Sequence, residues 1–149
     1  MGLLETAEAF FAKEQWVADR AKDAPVLRLA FQGKNGRWRC FLEAKEQLSQ
    51  VVFFSVKDPP VPEPRRAAVA ELFMRINCRL NVGNFEVNFN DGIARCRSGI
   101  DVEGVADVTP LVRNLAMLNV ATMDKYFAAL EAVIAGEAPM KALAAVPND

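Results

Sequence analysis

Asp101 and Glu103 stand two residues apart at the end of an alternating segment, Leu80 to Gly104. In an extended strand they share a face, as two carboxylates holding a metal or dividing acid–base work would. No third ligand is obvious, and Asp107 is only loosely placed. In the competing reading they cap the turn before the last helix or pair with nearby arginines. Glu14 is a further carboxylate, lying in the middle of an apolar stripe. It sits at the stripe's edge, pairs with an arginine, or acts as a catalytic acid.

The rest of the reactive inventory is thin. The chain contains no histidine, so Ser-His-Asp and Cys-His arrangements cannot be assembled within it. Cys40, Cys78 and Cys96 are too few and too dispersed for a four-ligand zinc site, and no CxxC occurs. The expectation is reduced, mostly buried thiols in a cytoplasmic protein. No catalytic, cofactor or metal site is expected.

Arginine is the residue type that makes a surface. Arg28, Arg37, Arg39, Arg95 and Arg97 all alternate with apolar residues and point away from them. If their strands share one sheet, they form a basic stripe. That stripe is either ordinary cross-strand pairing with Glu43 and Glu86 or a docking face for an acidic protein. Nucleic acid fits less well: Phe41 is the main stacking position, and the net charge of −1 offers no bulk attraction. Trp16 covers another part of the fold or is exposed for a partner.

The elements that must position these residues follow from spacing. Leu3, Leu4, Ala7, Phe10, Phe11, Val17, Ala18 and Ala21 fall on one helical face, in a segment ended by Pro25. Val26 to Gln32 and Arg37 to Glu43 alternate around Gly33-Lys34-Asn35-Gly36, a hairpin turn whose Asn and Gly tolerate positive φ. Val51-Val52-Phe53-Phe54 is apolar on both sides and predicts an interior strand covered on both faces. Phe53 or Phe54 must then meet the middle helix or a second subunit. Lys57 to Pro64 holds four prolines, which make it a rigid loop or a short polyproline docking segment.

Val69, Leu72, Phe73, Ile76 and Leu80 mark an amphipathic helix that Gly83 would terminate. Phe85, Val87 and Phe89 share one strand face, and Asp91-Gly92 predicts a two-residue type I′ turn. Ala94, Cys96, Ser98 and Ile100 form the return strand's inner face, with Gly99 as a candidate bulge. Thr109-Pro110 reads as a cap followed by a first-turn proline, opening a helix that stops at Gly136 and bends near Asn119 to Thr122. Asn119 falls within that helix's apolar face and Asn77 at the end of the middle helix. Both are assigned structural hydrogen bonds. The fold class predicted is α+β, in the order α-β-β-β-α-β-β-α, with a single antiparallel five-stranded sheet packed by helices.

Three stretches carry a family resemblance: NVGNFEVNF (Asn81 to Phe89), SGIDVEG (Ser98 to Gly104) and NLAMLNVATMDKYFAALEAVIAG (Asn114 to Gly136). They resemble the YbjN family, labelled a sensory transduction regulator, while the first half matches it in element order. The resemblance implies the fold of type III secretion chaperones, which commonly dimerise and bind unfolded client segments. It implies a domain over residues 1–136, while Pro139 sets off an Ala-rich tail over 137–149. The expectation is a homodimeric, non-enzymatic protein-binding adaptor, with no cofactor, nucleic acid or membrane partner. No secretory leader is expected at the N-terminus. The rival is a small-molecule-binding protein or carboxylate-dependent enzyme, with Asp101, Glu103 or Glu14 in a pocket under the last helix.

Overall fold

The computed structural model describes residues 1–148. Helix α1 (Leu3–Lys13) buries Ala7, Phe10 and Phe11, one stripe at i, i+3 and i+4. It stops well before Pro25. Gln15 adopts φ 62°, and the Trp16 N–H donates to Phe11 O at 2.9 Å. The reversal lets the Trp16 ring pack on Phe11 and Phe31, each centroid 5.4 Å away. The apolar letters beyond the turn therefore leave the helical face, and Val17 is exposed.

Five strands were expected; among the described residues six form. The extra one is the two-residue β1 (Asp19–Arg20), which pairs with the start of β2 (Val26–Gln32). The others are β3 (Arg37–Lys45), β4 (Gln50–Lys57), β5 (Asn84–Val87) and β6 (Ala94–Asp101). Every pairing is antiparallel, in the order β1-β2-β3-β4-β6-β5. The architecture is α+β with a single antiparallel sheet.

Helices α1, α2 (Arg66–Asn77) and α3 (Thr109–Ile134) pack on one face of that sheet, and α4 (Pro139–Ala144) packs on α2 and α3. Leu27, Leu29, Cys40, Leu42, Val51, Phe53, Phe85 and Cys96 point into this layer. Residues after Gly136 contribute α4, whose Ala142 and Leu143 are buried against it. No helix of the described residues is long and apolar enough to cross a membrane.

Several local expectations change. The 33–36 turn closes with Gly33 N–H donating to Gly36 O at 2.8 Å, without positive φ. Its glycines are needed for proximity: a Cβ on Gly36 would sit 2.3 Å from the Phe127 ring. The turn is also tied to α3, since Asp124 accepts from the Lys34 and Asn35 N–H groups at 3.2 and 2.8 Å.

The 88–93 connection is wider than a type I′ turn. Asn88 N–H donates to Ile93 O, and of Asp91 and Gly92 only Gly92 has positive φ. Phe89 consequently swings outward to 60% exposure. Gly99 pairs in register with Val52, so β6 has no bulge there.

Thr109 lies inside α3, and Asp107 takes the capping part by accepting the Thr109 N–H at 3.0 Å. α2 ends at Asn77, ahead of Gly83, whose φ of +76° serves the approach to β5. α3 runs unbroken past Asn119. The proline-rich connection is pinned: Arg66 donates to Val61 O, Phe89 O and Asn90 O. Arg65 reaches the carbonyls of Val133 and Glu137 at the end of α3.

Candidate functional site

β4 is interior by position, between β3 and β6, but only one of its faces is covered by helices. That corrects the expectation of a strand buried on both sides. The helix-covered face carries a chain of buried polar groups. Trp38 Nε1–H donates to Ser55 Oγ at 2.9 Å, and the Ser55 hydroxyl donates to Asn119 Oδ1 at 2.6 Å. The Asn119 amide N–H groups are shared among Phe53 O, Cys96 O and Ser98 Oγ, at 3.3, 3.1 and 3.0 Å. Every polar atom of Asn119 is thus engaged, as a buried amide requires. Among the described residues no buried side-chain nitrogen or oxygen lacks a partner.

Cys40 and Cys96 flank Ser55 in the same cross-strand row. Burial pushes the Cys40 thiol up to about 11 and the Cys96 thiol up to about 12. Both stay protonated at neutral pH, which makes them packing residues rather than nucleophiles.

The opposite face has no helix on it. Antiparallel register puts Arg28, Phe41, Phe54 and Arg97 in one cross-strand row, and Ala30, Arg39, Val56 and Arg95 in the next. Four of the arginines singled out in the sequence therefore share one surface. Arg37 lies at the start of β3 beside the 33–36 turn, exposed at the margin of that surface. Trp16 does not join them; it is half-buried in the aromatic cluster on the other side.

Carboxylates meet these arginines almost one for one. Arg28 pairs with Asp19. Arg39 holds Asp58 through two bonds of 2.7 and 2.9 Å, and that hydrogen bonding lowers the Asp58 carboxyl below its ordinary value. Arg95 and Arg97 both reach Glu86, and Lys45 pairs with Glu43 at 3.2 Å. The stripe is therefore closer to a mosaic of both signs than to a basic patch.

Two guanidinium groups also cover rings: Arg39 lies 5.4 Å from the Phe41 centroid and Arg95 4.5 Å from that of Phe54. Beside the Phe54 ring, Val52 and side-chain-free Gly99 lie in an open depression of about 550 Å3, bordered by Glu43, Lys45, Arg95 and Arg97.

The carboxylate pair does not build a site. Asp101 Oδ1 accepts the Glu103 N–H at 3.0 Å, a local turn, and both side chains are exposed. Glu14 caps α1 at the surface. No group of three or more Cys, Asp or Glu among the described residues could hold a metal. Asn77 does structural work at the sheet margin: it donates to Phe85 O and accepts from Phe85 N–H, closing part of the free edge of β5.

Sequence reasoning missed that Val52 and Phe54 stay half-exposed on the open face, and missed Asp19 and Asp58 as arginine partners. The alternation marked which way each side chain points. Only the strand order makes them neighbours.

A family model, YbjN, described as "Putative bacterial sensory transduction regulator", matches residues 4–132. No curated protein matches. Among solved structures the chain is similar to one described as "Structure of the HopA1-SchA Chaperone-Effector Complex". The identity is 13%, the coverage 78% of this chain and 85% of that chain, and the TM-score 0.47.

Proposed function

The chain belongs to the YbjN family, and from that premise we propose that it is a non-enzymatic protein-binding domain, a chaperone-like or regulatory adaptor working as a homodimer. One observation carries the reading: a sheet with every helix on one side leaves Phe41, Val52 and Phe54 half-exposed in the middle of the other. Apolar surface held among charges in this way is the composition of a protein interface, with an apolar centre, a polar rim and arginine enriched. The family's description supports a regulatory setting.

The arginines already hold carboxylates, which disfavours nucleic acid as the partner. Three free cysteines support a cytoplasmic setting. The lack of histidine and the local engagement of Asp101 disfavour the rival enzyme.

Co-expression of a tagged and an untagged copy, followed by affinity capture, tests the proposal. Recovery of the untagged copy together with a further protein in comparable amount is expected. Recovery of the tagged chain alone contradicts it.

A further inference from the structure

Resting on the reading that the chain is a homodimer, we infer that the open sheet face is where a second copy docks, sheet against sheet. Charge is the first argument. The face presents Arg28, Arg39, Lys45, Arg95 and Arg97 beside Asp19, Glu43, Asp58, Glu86 and Asp101. A partner of one sign meets repulsion across half of this surface. A second copy carries the same mixture, and a two-fold contact can set the cations of each copy against the carboxylates of the other.

Area is the second. Strands β2, β3, β4, β6 and β5 at about 4.8 Å spacing, with about seven residues each at about 3.3 Å, give a flat face of roughly 550 Å2 per copy. Two copies then bury roughly 1,100 Å2, just above the ~1,000 Å2 that a specific interface needs.

Shape is the third. The helices prevent any approach from the other side, while this face offers both a knob and a hollow. The knob is the Phe41–Phe54 pair in one cross-strand row. The hollow is the depression left open where Gly99 contributes no side chain. Face-to-face sheets pack about 10 Å apart, which lets rings of one copy enter the hollow of the other. Arg39 and Arg95 then lie against rings and carboxylates of both copies, rather than against water.

Sedimentation equilibrium on purified wild type, Phe54→Asp, Gly99→Arg and Met74→Asp tests this, with far-UV circular dichroism on each. Phe54 points outward, and a Cβ on Gly99 meets nothing closer than Val52 Cγ2 at 3.7 Å, so both changes spare the core. Met74 is exposed on α2, away from the open face. Wild type and Met74→Asp at twice the 16.4 kDa chain mass, with Phe54→Asp and Gly99→Arg folded at the single-chain mass, support the inference. Folded Phe54→Asp and Gly99→Arg that keep the doubled mass overturn it and leave the homodimer standing with another interface. Wild type at the single-chain mass overturns both.

Discussion

Phe53 and Phe54 are adjacent on β4 and meet opposite environments. Phe53 faces the helices, fully buried, with the Phe11 ring 6.3 Å from its own. Phe54 faces the open side, half-covered by the Arg95 guanidinium. The same contrast holds for polar groups. On the closed face Asn119, Ser55, Ser98 and Trp38 must satisfy one another, because no water replaces a missing partner. On the open face arginines and carboxylates pair in contact with solvent, where each pair contributes little. Stability is concentrated on one face of the sheet, which frees the other for association.

The sharpest way to break this comparison is to shorten both rings. Phe53→Ala is expected to cost about 4 kcal/mol, from lost transfer energy plus a cavity. Phe54→Ala is expected to cost about 1 kcal/mol, mainly a weakened cation–π contact and partial burial. Urea unfolding read by circular dichroism checks both, and equal costs would mean the two faces are not different in kind.

Asn119→Leu comes next, at about 3 kcal/mol, because it strands the Ser55 hydroxyl and the carbonyls of Phe53 and Cys96 in the interior. A parallel substitution at Arg97 on the open face is expected to stay within about 0.5 kcal/mol.

How much of this contrast could be read beforehand depends on the residue. Period-two alternation was enough to place Arg28, Arg39, Arg95 and Arg97 on one side of their strands, and the helical apolar face was enough to mark Asn119 as a buried amide needing partners. Its partners could not be named. Ser55 and Ser98 lie 64 and 21 residues away, and only the β3-β4-β6 order brings them together. Composition could not reveal that Phe54 is uncovered, since a strand apolar on both sides looks the same whether or not a helix lies on it.

Turn geometry misled where a short-range signal competed with a tertiary one. Val17, Ala18 and Ala21 continue a helical stripe, but packing of Trp16 between Phe11 and Phe31 reverses the chain first. Asp91-Gly92 suits a tight hairpin, but a Cβ at Gly92 would sit 2.3 Å from Val61 O, so the glycine is needed for the docked proline loop.

That kind of close approach supplies a third prediction. Gly36→Ala puts a methyl into the Phe127 ring and is expected to destabilise by about 2 kcal/mol as an overpacking defect. Gly99→Ala, on the open face with ordinary clearance, is expected to leave the urea midpoint within about 0.5 kcal/mol.

The smallest expected effects are pH-dependent and run in opposite directions on the two faces. The folded state holds the Cys40 and Cys96 thiols above the unfolded value near 9.0. Their contribution is fully present below that value and is lost as pH rises through the folded values of about 11 and about 12. Asp58 is lowered by its Arg39 hydrogen bonds from 3.8. Its contribution is present above that value and is lost as pH falls through the folded value. Asp58→Asn should flatten the acid limb slightly and leave the alkaline limb unchanged, as thermal melts across pH would show.

The central claim is that one face of the sheet holds the fold and the other holds a second copy. Measuring the mass of Phe54→Ala by sedimentation equilibrium, beside its urea midpoint, tests that division most directly. The account predicts a protein whose midpoint, read at a concentration where both proteins are single chains, stays within about 1 kcal/mol of wild type while its self-association weakens toward the single-chain mass. A Phe54→Ala protein that keeps the doubled mass with wild-type affinity would contradict it.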